Sequence, residues 1–166
     1  MLNDHAKIMA LISEAGEVIG RKKLQKIIYI AKKINFPFVE RYNFHFYGPY
    51  SEELTLRIEE MCNLGFVHEM KEKKGGYYQY RYTLSEEGKK FLGVSNLDLP
   101  NLKAFTTDVN DKSSRFLELV STILFFEELE KQEIIEKVHT LKAKQNYSED
   151  EINEAFTYIE SLKQLQ

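Results

Sequence analysis

Tryptophan is absent from this 166-residue chain, cysteine occurs once, and there are only three prolines and four histidines. The lone Cys62 excludes an internal disulfide and suits a reducing compartment. It lies beside the apolar stripe of a predicted helix and reads as a packed thiol. His5, His45, His68 and His139 are scattered, with neither metal-ligand spacing nor a thiol–imidazole pairing to Cys62. No apolar run approaches the ~20 residues of a membrane span. The start, MLNDHAKIMALI, has no basic region ahead of an apolar core, so no signal peptide is expected and the cytoplasm is the expected location. There is no glycine-rich phosphate loop, since Gly75-Gly76 sits in a hairpin tip. The glutamate pairs 52/53, 59/60, 86/87 and 127/128 are neighbours on helices and point apart. These absences predict a protein that is not an enzyme, with no catalytic residues, no cofactor and no metal.

What is present is ordinary for a globular chain: 43% apolar and 30% charged residues. The formal charge of −3 is unevenly spread. Residues 1–50 carry eight Lys/Arg against four Asp/Glu, whereas residues 101–166 carry eight against thirteen. A surface for a polyanion would therefore lie in the first part.

Apolar periodicity predicts helices over residues 3–15, 21–34 and 51–64. In the second, RKKLQKIIYIAKKI, Leu24, Ile27, Ile28, Ala31 and Ile34 form the core stripe, and Lys22, Lys26, Tyr29 and Lys33 lie opposite. Residues 66–72 and 77–84 read as two strands around KKGG, followed by a short helix capped by Ser85. Three helices and a hairpin make the plan of a winged helix. The fold expected is mainly α: a variant winged-helix domain over residues 1–93, a linker over 94–112, and a helical extension over 113–166 that packs on it or dimerises. The extension opens with an apolar arc from Phe116 to Phe126, broad enough for a helix buried on more than one side, and closes on a helix with a capping box at Ser148 and Glu151.

The stretch FHFYGPYSEEL, residues 44–54, alternates like a strand and then breaks at Gly48-Pro49. It is expected to add a short strand to the wing sheet through Phe44 and Phe46, with Ser51 capping the third helix. Tyr78, Tyr80 and Tyr82 are expected to cover the same sheet and pack on Phe44 and Phe46.

KLQKIIYIAKK (residues 23–33), FYGPYSEEL (46–54) and LGFV (64–67) together resemble the YwgA-like bacterial proteins over most of the chain. More distantly, K-L-Q-K, two apolar residues, Tyr and Ala, followed by an aromatic-Gly-Pro motif, resembles the Panacea domain. The first resemblance implies a winged-helix-like protein. The second implies an interaction protein that binds a toxin or client. Neither supplies catalytic residues.

Two surfaces compete as sites. Arg21, Lys22, Lys23, Lys26, Lys32 and Lys33 on the second helix, with Lys71, Lys73, Lys74 and Arg81 on the wing, would be the nucleic-acid contacts of a transcriptional regulator. Glu52, Leu56, Glu59, Glu60 and Asn63 share the outer face of the third helix and would meet a protein partner. That helix carries four Glu and one Arg, so phosphates would be repelled where base readout needs it close. The 16 residues 35–50 also replace the tight turn, of about 3–4 residues, in a helix-turn-helix. The expectation is therefore a regulatory interaction protein that binds a protein partner or self-associates through its C-terminal helices. The alternatives are a nucleic-acid binder and an antitoxin-like adaptor.

Overall fold

In the computed structural model, which describes residues 2–165, the chain is mainly helical with two small antiparallel sheets. Helix α1 (Asn3–Ala15) buries Ile8, Leu11 and Ile12, as their spacing predicts. A two-residue strand, β1 (Val18–Ile19), passes through Gly20 into α2 (Arg21–Lys33). Helix α2 is the centre of the molecule: every residue from Leu24 to Ala31 is buried. Its apolar stripe faces the core, and its other side is covered by α6 (Ser114–Phe125) and by a short hairpin over residues 43–50. Lys26 and Tyr29, expected on an open face, are for that reason buried.

The hairpin consists of β2 (Asn43–His45) and β3 (Gly48–Tyr50), with Phe46-Tyr47 at its tip. The left-handed step is taken by Gly48, at φ 98°, where a Cβ would come into contact with Glu118, Ser121 and Thr122 of α6. After it, α3 (Glu52–Asn63) starts from Ser51, whose Oγ accepts from the Leu54 N–H at 3.1 Å. The hairpin expected as a wing follows as β4 (Val67–Lys74) and β5 (Tyr77–Leu84), turned by Gly75 at φ 57°.

The wing sheet has a third strand, but not the expected one. Its order is β1-β5-β4, with Val18 opposite Tyr82. Because β1 takes the free edge of β5, the strand at Phe44 closes on its own hairpin in a separate sheet. Phe44 packs on Phe125 and Phe126 instead, with ring centroids 5.2 and 5.4 Å away, and Phe46 is 79% exposed. The wing tyrosines do not reach them: Tyr82 is buried, whereas Tyr78 is exposed.

The wing leads into α4 (Glu86–Gly93), where Ser85 Oγ accepts from the Gly88 N–H at 3.0 Å. Gly88 is required for space: a Cβ there would lie 2.2 Å from the Phe66 carbonyl oxygen. Gly88→Ala is expected to cost about 2 kcal/mol in urea unfolding, because backbone must shift to admit it. An unchanged midpoint and slope would refute this packing.

Part of the stretch expected as a linker is ordered core. Leu102–Asn110 forms α5, which buries Leu102, Phe105 and Val109 against α1 and α2. Its helical stripe is only three residues long and follows Pro100, so periodicity over a long window does not register it. Helix α6 is buried from Leu117 to Leu124, between α2 on one side and α7 (Lys131–Leu141) and α8 (Glu149–Lys163) on the other. Its broad apolar arc is thus covered within the chain, by α2, α7 and α8. The capping box at Ser148 and Glu151 opens α8. No helix among the described residues is long and apolar enough to cross a membrane.

Candidate functional site

Gln25 positions the site. Its side-chain amide donates to the Ser51 carbonyl at 2.9 Å, and its Oε1 accepts from the Ser51 N–H at 2.8 Å. The same amide donates to Thr55 Oγ1 at 3.0 Å, and the Tyr42 hydroxyl donates to the Gln25 carbonyl at 2.9 Å. These bonds clamp the hairpin exit and the start of α3 onto α2. From the other side, buried Lys142 donates to the Phe46 carbonyl at 3.0 Å and pairs with Glu118 at 3.2 Å, which ties the hairpin tip to α6.

Between these clamps lies a pocket of about 440 Å³. The first turns of α2 form one wall, the hairpin tip and β3 a second, and α3 with the wing a third. Its cationic side is Lys22 and Lys26, one helical turn apart, beside Arg21. Glu59 of α3 and Glu69 of β4 also line the pocket. Aromatic rings frame the mouth: His45 lies 5.0 Å from Tyr50, and Phe46 lies edge-on to Tyr47 at 5.4 Å.

The cations differ in how far they are satisfied. Arg21 stacks over Tyr80 at 3.6 Å, donates to the Tyr82 hydroxyl at 3.3 Å and pairs with Glu69 at 3.5 Å. The Tyr82 hydroxyl donates in turn to Glu69 at 2.6 Å, and burial followed by that carboxylate raises its pKa. Lys22 sits over the Tyr47 ring at 3.2 Å. Lys26 is only 4% exposed and makes no hydrogen bond or ion pair among the described residues. Burial holds its ammonium down to about 8. Glu118 opposes that fall, and Lys22 and Lys142 add to it. Cys62, behind this wall, is a protonated thiol, pushed up to about 11 by burial and then by Glu69 and Glu59. No group of three or more His, Cys, Asp or Glu side chains suited to a metal ion occurs among the described residues.

The basic residues picked out in the sequence therefore divide. Arg21, Lys22 and Lys26 converge on the pocket. Lys23 donates to the Asn110 carbonyl at 2.6 Å, Lys32 donates to the Glu40 carbonyl at 2.6 Å, and Lys33 pairs with Glu127 at 2.9 Å. Arg81 pairs with Glu17 and Glu72 across the sheet. Lys71 lies over Tyr78, and Lys73 and Lys74 stand exposed at the wing tip. The acidic set stays together: Glu52, Leu56, Glu59, Glu60 and Asn63 are all exposed along α3, and Glu60 meets His5 at 3.2 Å. Sequence reasoning missed Gln25, His45, Thr55, Glu69 and Tyr82 as members of a site. Gln25 lay inside the first of the three stretches that carried the family resemblance, and His45 stands one residue ahead of the second.

No family model matches the chain. It is 64% identical over 165 residues to the uncharacterized protein YwgA of Bacillus subtilis (strain 168), covering 99% of each chain. The chain belongs to the YwgA-like family. In this YwgA-like chain the three stretches that carry the resemblance meet in space. KLQK supplies Lys26 and the Gln25 clamp, FYGPYSEEL supplies the hairpin tip and the start of α3, and LGFV feeds the wing strand that brings Glu69.

Proposed function

We propose that this YwgA-like chain is a non-enzymatic regulatory module of variant winged-helix type that docks a protein partner on the outer face of α3. The order α1-β1-α2-α3-β4-β5 with sheet order β1-β5-β4 supports the winged-helix reading. The β2–β3 hairpin then stands where a helix-turn-helix has its turn.

The observation that carries partner docking is Leu56, 59% exposed amid Glu52, Glu59 and Glu60. An apolar anchor in an acidic rim fits a partner patch that is apolar at its centre and basic around it. The same face would repel a phosphate backbone. The internal contacts of Lys23, Lys33 and Arg81 and the burial of Lys26 also disfavour a nucleic-acid surface on α2.

A photo-crosslinking residue at Leu56 is expected to trap one partner, whereas the same group at Leu141, 46% exposed on α7, is expected to trap none. With the purified partner, Glu52→Lys together with Leu56→Asp should weaken binding at least tenfold. Equal trapping at both positions would overturn the reading. So would tight duplex DNA binding at physiological salt that is lost on Lys73→Glu with Lys74→Glu.

A further inference from the structure

We propose that the pocket beside α2 is a binding site for a small nucleotide-like anion: a planar ring carrying one phosphate group, of mononucleotide size. It goes beyond the α3 docking face and does not depend on it. The decisive feature is Lys26. A lysine that is 4% exposed as a residue, its ammonium without a hydrogen bond or ion pair among the described residues, is costly to keep charged. Its side chain lines a cavity, and an anion there would supply the missing partner. Glu118 does not serve, because its carboxylate is engaged by Lys142 at 3.2 Å and Gln145 at 3.5 Å.

The surroundings agree with an anion at that end. Lys22 lies one turn before Lys26, and the first turn of α2 holds no acidic residue and no side-chain cap. The positive end of the helix therefore adds to two lysines rather than being neutralised. The rest of the pocket suits what a phosphate would be attached to. Phe46, 79% exposed at the rim beside His45 and Tyr47, offers a face for a flat ring. Glu59, exposed on α3, also lines the pocket, and its carboxylate accepts hydrogen bonds from sugar hydroxyls or a ring amine. A volume of about 440 Å³ lies within the usual range for small-molecule sites, about 300–1,000 Å³. The depth of Lys26 separates this ligand from a polymer: a duplex backbone resting on the surface does not reach it.

The test is calorimetric titration of the full chain with each of the four common nucleoside 5′-monophosphates, the parent nucleosides and inorganic phosphate. At least one monophosphate is expected to bind saturably, at least tenfold more tightly than its nucleoside and than phosphate alone. Lys26→Met should weaken it at least tenfold. Phe46→Ser, at an exposed position that folding does not need, should weaken it severalfold while leaving the phosphate dependence intact. Amide shifts on titration should cluster at α2, the hairpin tip and the start of α3. Absence of binding by all four monophosphates at millimolar concentration would overturn the proposal. So would equal affinity for nucleoside and nucleotide, or binding indifferent to Lys26→Met in a folded variant.

Discussion

Lys26→Met is expected to make the ligand-free protein more stable, by about 3 kcal/mol at pH 7. Lys26 is buried without a partner, and its folded-state pKa, about 8, lies below the ordinary 10.5. The sign follows from proton counting. Between pH 8 and 10.5 the unfolded chain holds a proton on Lys26 that the folded chain has released, so stability rises with pH across that window. Below pH 8 both states are protonated and the whole cost of the buried charge is present. Methionine keeps most of the stem and removes the charge. Urea unfolding from pH 7 to 10 should show the difference between wild type and variant shrinking as pH rises. The groups around the ammonium, Lys22 on the same helix, Glu118 on α6 and Lys142 after α7, are common to both proteins. So are His45, Glu59 and Glu69 across the pocket, and their own titration largely cancels in the comparison. A destabilised variant, or a difference flat from pH 7 to 10, would show that the ammonium has a partner after all. A residue that lowers stability in the free protein is what a binding site retains and a purely structural position would lose.

The elements that were legible in the sequence are those with a long, one-sided apolar stripe. Helices α1, α2 and α3, the wing and α8 lie within a few residues of their expected bounds, because caps and glycines punctuate them: Gly16, Ser51, Gly75, Ser85 and Ser148. What stayed hidden depends on distant partners. β1 is two residues long and is a strand only because β5 lies beside it. Helix α5 has three inward residues, and its reason to be helical is the cover it gives α1 and α2.

The site was half visible for the same reason. Local pattern placed Lys26 opposite the apolar stripe of α2, which is where it is. Its burial comes from α6, about ninety positions along the chain, and from a hairpin whose fold back onto α2 is held by Gln25 and Lys142. Amphipathic spacing reports which face a residue is on, not what later covers that face. The FHFYGPY stretch shows both sides of this. Its Gly-Pro step is scaffold, since Gly48 turns at φ 98° against α6. Its exposed Phe46 and Tyr47, by contrast, are held out over a pocket whose other walls come from α2, α3 and the wing.

The largest loss of stability is expected from Arg57→Met. Glu40 is 0% exposed, lies in the segment between α2 and β2, and forms an ion pair with Arg57 of α3. Arg57 also reaches Asp4 of α1 at 3.7 Å, so one guanidinium ties three parts of the fold. The second Glu40 oxygen, Oε1, has no hydrogen-bond partner, which leaves Arg57 as the main compensation for a buried charge. Removing Arg57 strands that charge and should cost about 3–5 kcal/mol in urea unfolding. Glu40→Gln should cost less, because the arginine keeps Asp4 and solvent. The double variant Glu40→Met with Arg57→Met should recover much of the loss, since breaking a buried pair is worse than replacing it. If the double variant is as unstable as Arg57→Met alone, the stem of Arg57 rather than its charge holds the elements together. The pair would then be a packing contact with charges attached.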